Sequence, residues 1–238
     1  MVNTFLVSSD FTQSAQLLDQ KRLPNQRREA FQILCHVQRL TAIGDLLVTP
    51  LPIDPYLWYN WVRQVVKDYR QWSSTQHHQL VRINGHWTTA QLDYIVGPQD
   101  LTIRFGYIYH PAVLMWLGYE ESLKMYLNAH ILASIDRGIK NKMDTYEISP
   151  NVARPPWTYD SDFITRHRAV LLNKELDRHE TPWYQLKPEF MGIPNTLIYY
   201  WPYTPKIGKS AKTHGEADLT HRYKTEPLQF KLKLKLKT

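Results

Sequence analysis

Gln26-Arg27-Arg28-Glu29-Ala30-Phe31-Gln32-Ile33-Leu34-Cys35-His36-Val37-Gln38-Arg39-Leu40-Thr41 is the stretch from which the fold is read. Ala30, Ile33, Leu34, Val37 and Leu40 recur three and four residues apart, the spacing that lays one apolar stripe along an α-helix. A helix is therefore predicted over 26–41, with Gly44 as its stop. Upstream, Pro24 and Asn25 interrupt the pattern, so a separate short helix is expected over 12–22. Ser8, Ser9 and Asp10 stand before it as capping residues. Downstream, the Pro-rich segment 49–55 reads as a loop and 56–72 as an aromatic, amphipathic helix. Asn84-Gly85 between short β-prone runs suggests a hairpin. Pro111 opens what reads as one long helix, whose stripe runs from Val113 through Trp116, Leu123 and Leu127 to Ile135 before Gly138. A further helix is expected over 161–176. Strong helices and no strong strands make the class mainly α, a compact multi-helix body over 1–204 followed by a basic tail over 205–238.

The chain has 238 residues, 43% hydrophobic and 13% aromatic, with 8 Trp and 15 Tyr, enough for a sizeable core. Its net charge of +7 is concentrated at one end. Beyond residue 204, eight Lys and one Arg oppose Glu216, Asp218 and Glu226, which leaves the body near neutrality. Any polyanion site in the body must therefore be a local patch. The alternating Lys-Leu end of the tail would suit an edge strand if something paired with it, and is otherwise expected to be disordered. The lone Cys35 excludes an intrachain disulfide and a cysteine-based zinc cluster, and reads as a small core group. His77, His78 and His86 lack neighbouring cysteines or paired acids at ligand spacing, so no metal and no cofactor is expected. Without a long apolar run or a signal-like start, a soluble, cytoplasmic protein is expected.

The chemistry concentrates where Lys21, Arg22, Arg27 and Arg28 crowd around one carboxylate, Glu29, with Arg39 further along. A structural ion pair or a solvated helix face is the plain reading of such a cluster. Glu29, however, directly precedes Ala30 and lies one turn before Ile33, at the border of the buried stripe. There a carboxylate can be both oriented and partly desolvated, as proton transfer requires.

Asn3-Thr4-Phe5-Leu6, Leu18-Asp19-Gln20-Lys21-Arg22-Leu23 and Gln26-Arg27-Arg28-Glu29-Ala30 together resemble the N-terminal region of the pyrimidine-dimer DNA glycosylase (endonuclease V) family, in its bacterial and viral branch. Three later blocks agree: His110-Pro111-Ala112-Val113 with Met115-Trp116, His167-Arg168 with Leu171-Leu172-Asn173-Lys174, and Gly192-Ile193-Pro194 before Tyr200-Trp201-Pro202. The phage enzymes of the family are shorter, so the aromatic-rich region of about 44–109 reads as an insert. The resemblance implies a DNA glycosylase with abasic-site lyase activity on double-stranded DNA. Its nucleophile would be the main-chain amine of Val2 once Met1 is removed, and Arg28-Glu29 would match the family's Arg-Glu pair. An α-amine is partly unprotonated near neutrality and can form an imine at the sugar C1′. The N-terminus should then pack against the start of the 26–41 helix. Arg22, Arg27, Arg28 and Lys21 would hold phosphates, as would His167, Arg168 and Lys174, while Trp183 and Tyr184 would stack near the lesion. His110 reads as a cap as readily as a DNA contact. The competing function is a non-catalytic DNA-binding or particle-associated structural protein on the same fold, with a protein partner for the tail.

Overall fold

A computed structural model describes residues 4–76, 78–83, 86–91, 106–178, 180–193, 198–203 and 216–218, with the side chains of 83, 86, 90, 91, 198–200 and 216–218 left aside. Val2, most of the insert beyond Gln91 and nearly all of the tail lie outside these residues. The described chain is mainly helical: α1 (Phe11–Leu17), α2 (Arg22–Leu46), α3 (Trp58–Gln76), α4 (Pro111–Leu114), α5 (Glu120–Asp136) and α6 (Ser161–Asp177).

α2 is longer than its apolar stripe predicts at both ends. Just ahead of it, Asp19 Oδ1 accepts from the N–H groups of Lys21 at 2.8 Å and Arg22 at 2.7 Å. Because α2 opens at Arg22, Pro24 is its third residue and falls in the first helical turn, where a missing N–H costs little, and does not interrupt the helix. Gly44 lies inside α2 and serves close packing: a Cβ there would stand 2.9 Å from the Trp61 ring and 3.0 Å from the Thr49 carbonyl. α1 is correspondingly short, opened by Asp10, whose side chain accepts from the Gln13 N–H.

The single long helix expected from Pro111 is two helices. After α4 the chain turns through Gly118, at φ +73°, before α5 begins. A Cβ on Gly118 would meet Leu51 at 3.3 Å in a backbone conformation that other residues rarely adopt. His110 caps α4, Nδ1 accepting from the Ala112 N–H at 3.1 Å. α5 packs along α2 and α1 and supplies Leu123, Tyr126, Leu127 and Ile131 to one core with Leu23, Ile33, Leu34 and Leu40 of α2, closed by Trp116, Trp157 and Phe163.

The hairpin expected near Asn84-Gly85 is present as β1 (His78–Ile83) antiparallel to β2 (His86–Gln91). Its last described pair is Ile83 with His86, and Asn84-Gly85 lie outside the described residues. A second small sheet pairs β3 (Ile198–Tyr200) with β4 (Glu216–Asp218), so three residues of the expected tail form a strand. β3 also contacts α6, which offers the tail segment an ordered edge to pair with.

Candidate functional site

The buried segment Thr4–Val7, an N-terminal strand in its course alone, enters the body without helix or sheet pairing among the described residues. Side chains from distant elements satisfy its backbone, as burial demands. Phe5 N–H donates to Gln26 Oε1 at 2.6 Å, Leu6 N–H to His167 Nδ1 at 3.0 Å, and Val7 N–H to Ser14 Oγ at 3.0 Å. The Phe5 carbonyl accepts from the Tyr126 hydroxyl at 2.7 Å and the Val7 carbonyl from Arg168 Nε at 2.7 Å. Trp116 Nε1 donates to Thr4 Oγ1 at 2.9 Å. Helices α1, α2, α5 and α6 therefore all hold this strand, together with Trp116 from the turn after α4.

Gln26, 2% exposed, joins the strand to Glu29. While Oε1 accepts from Phe5, Nε2 donates to Glu29 Oε2 at 2.9 Å, and the Tyr126 hydroxyl also reaches Oε1 at 3.2 Å. The half-buried Glu29 carboxylate thus stands one side chain away from the N-terminal strand. Lys174 Nζ lies 4.5 Å from the centre of the Phe5 ring, placing a cation on the same strand from α6. Sequence reasoning gave Gln26 and Tyr126 no role. An interior amide with three different partners leaves no mark in a single sequence.

The arginines divide into two groups. Arg27 is only 7% exposed, yet among the described residues Nε and Nη1 have no hydrogen-bond partner and Nη2 alone donates, to the Lys140 carbonyl at 3.2 Å. Burial, and then the charge of Arg28, hold its guanidinium below the ordinary arginine range. Arg28 is exposed, bonded to Asn25 Oδ1. Arg22, by contrast, is buried and committed to an internal cluster. Nη1 pairs with Asp19 and, at 2.8 Å, with Glu180, which also holds Lys21 at 2.8 Å. Burial pushes the Asp19 carboxyl up, but hydrogen bonds and charge from Arg22 and the Tyr184 hydroxyl, which donates at 2.8 Å, leave it net below the usual range.

Three residues expected to face DNA are built inward. His167 is wholly enclosed and positions Leu6, so it offers no surface to a phosphate. Tyr184 is also wholly enclosed, ring against Phe190 and hydroxyl on Asp19, so it cannot stack on a base; burial pushes its hydroxyl far above the usual tyrosine range. Arg168 is half-buried with Nε on Val7. Trp183 keeps a partly open ring, with Nε1 on the Leu17 carbonyl at 2.9 Å and Lys187 Nζ 4.6 Å from the ring. The loop beneath it is fixed by the buried Glu175 carboxylate, which accepts from the N–H groups of Trp183, Tyr184 and Gln185.

Among the described residues no three His, Cys, Asp or Glu side chains are grouped so as to hold a metal ion, and no helix is long and apolar enough to cross a membrane. His77 and the side chain of His86 lie outside the described residues. In comparison with known proteins, a family model described as pyrimidine dimer DNA glycosylase matches residues 2–147, which span α1 to α5 and include the strand, Gln26 and Glu29. Neither the curated proteins nor the solved structures give a match.

Proposed function

The chain belongs to the pyrimidine dimer DNA glycosylase family, and from that premise we propose that it excises damaged pyrimidines from double-stranded DNA through an imine on its own N-terminal amine and then cleaves the strand as a lyase. The observation that carries this reading is the Gln26 amide, which grips the Phe5 N–H with one end and Glu29 with the other. Three residues of extended chain span at most about 10 Å, so Phe5, joined through Gln26 to Glu29, limits how far from that carboxylate a Val2 amine could lie, which supports the reading. Segments near a terminus ordinarily fray, whereas Thr4–Val7 is held by six side chains.

In the proposed reaction the uncharged α-amine attacks C1′, the glycosidic C–N bond breaks, and the base leaves with the bonding pair and a proton. Opening of the sugar ring yields an iminium at C1′. This acidifies C2′, loss of a C2′ proton drives β-elimination, and the C3′–O bond to phosphate breaks. Glu29 is the group placed to stabilise the cation or carry the proton. Arg27, 7% exposed, would serve the phosphate side through its charge, held just beneath the surface next to exposed Arg28. Arg28 and Lys174 are candidates for the neighbouring phosphates.

Borohydride trapping on DNA with an abasic site or a cyclobutane dimer tests the proposal. The chain with a free N-terminus should become covalently linked, as should a C-terminally tagged one. An uncleaved N-terminal tag, displacing the amine by about 3.5 Å per residue, should abolish the link. Equal trapping by both tagged forms would move the nucleophile to a lysine such as Lys21, and trapping by neither, on any lesion, would favour a non-catalytic DNA-binding protein.

A further inference from the structure

On the solvent side of α3, Asn60, Arg63, Gln64 and Lys67 follow at helical intervals and, with Tyr109 of the 106–110 turn, line a cavity of about 490 Å³. It is distinct from the site around Glu29. Trp61 packs on Gly44, and the α2 segment from Glu29 to Gly44 rises about 22 Å.

The cavity is cationic and unsatisfied. Asn60, Lys67 and Tyr109 have no hydrogen-bond or ion-pair partner among the described residues, and Arg63 touches only the Tyr59 ring, at 5.9 Å. Asp68, the only carboxylate of α3, is occupied by the Gln64 amide at 2.8 and 2.9 Å. Tyr107, two residues before Tyr109, is 65% exposed and held at φ +64°, a conformation that bulky side chains adopt only when their surroundings impose it. Two exposed cations, an amide and a phenol around a concavity, with open aromatic rings beside them, are groups that bind the phosphates of a nucleic-acid backbone. An apolar ligand would find few apolar walls here, and a metal ion would find no free carboxylate.

We propose that this cleft is a second DNA-backbone contact site, which extends the footprint on duplex DNA beyond the catalytic centre and operates whether or not the imine chemistry does. The test compares wild type with Arg63→Glu/Lys67→Glu and Arg63→Gln/Lys67→Gln, all full-length and all checked for native circular dichroism. On a lesion-free duplex of about thirty base pairs, losing two phosphate contacts should flatten the log-log salt dependence by about 1.8 in both variants. Borohydride trapping on an abasic hairpin of about eight base pairs, whose ends lie only about 14 Å from its centre, should be changed far less than binding to the long duplex. An unaltered slope overturns the proposal even if the wild type traps normally. So does a lowered slope confined to the glutamate pair, which would be repulsion alone, and so does a wild type with no affinity for the duplex. A flattened slope in a protein that never traps would leave this site standing and defeat the imine reading.

Discussion

Gln26→Glu exchanges the amide nitrogen 2.9 Å from Glu29 for a second carboxylate oxygen while leaving an acceptor for Phe5 N–H and Tyr126. Two unit charges at that separation repel by about 1.4 kcal/mol in water and about 6 kcal/mol at an effective dielectric of 20. Glu29 is half-buried, so the lower part of that range applies. Even there the pair should retain one proton across at least about one further pH unit. If ionised Glu29 assists the chemistry, the acid limb of the cleavage profile should move upward by about a unit or more, with activity recovering at higher pH. Gln26→Leu has a different signature. It removes the acceptor of the buried Phe5 N–H at a cost of about 1–3 kcal/mol, and the amide bond to Glu29 with it, so stability and trapping should fall at every pH with no displacement of the limb. Single-turnover cleavage against pH and urea unfolding of the three proteins measure both effects. An unmoved profile in Gln26→Glu together with unchanged stability in Gln26→Leu would refute the idea that this amide couples the terminal strand to the carboxylate.

Glu29→Gln should abolish strand cleavage while lesion-DNA affinity stays within a few-fold; normal binding with wild-type cleavage would remove Glu29 from the mechanism. Burial holds His130 near a pKa of about 4, so the folded protein refuses a proton that the unfolded chain accepts below about 6.5, and stability is present above that value and lost as pH falls towards 4. Between pH 7.5 and 5 this group should cost about 2 kcal/mol, and His130→Asn, whatever its own cost at neutral pH, should reduce that pH sensitivity in urea titrations. Gly44→Ala should cost about 1–3 kcal/mol, because its methyl must displace the Trp61 ring or the Thr49 carbonyl, read as a lowered unfolding midpoint.

The mainly helical class was legible because the α2 stripe is long and regular and because Ser161–Asp177 follows the expected 161–176 closely. The boundaries were less so. Pro24 and Gly44 carry the ordinary marks of helix ends, yet the helix opens at Arg22 with Pro24 third in its first turn, and Gly44 answers to Trp61, a partner seventeen positions away. The division between α4 and α5 was hidden by apolar residues on both sides of Gly118, whose left-handed backbone alone marks the turn. At the site, clustering of charge pointed to Arg27 and Arg28 but could not separate them from Arg22, which burial with Asp19 and Glu180 commits to the interior. Positions 167 and 184 turn inward because of what packs on them, and only the folded chain reveals that.

The arrangement of Thr4–Val7 also imposes an order in time. The acceptor for Leu6 lies 161 residues further along the chain, and Arg168, which holds Val7, comes one residue later still. At ribosomal rates of about 5–20 residues per second, the first residues are made roughly ten to thirty seconds before α6 exists to receive them. During that interval the segment lacks the two anchors that α6 supplies and depends on Ser14, Gln26, Trp116 and Tyr126 alone. Once α6 docks, the backbone of that segment is enclosed. A chain released before α6 could carry the whole charged cluster around Glu29 and still lack the clasp that sets the terminus against it.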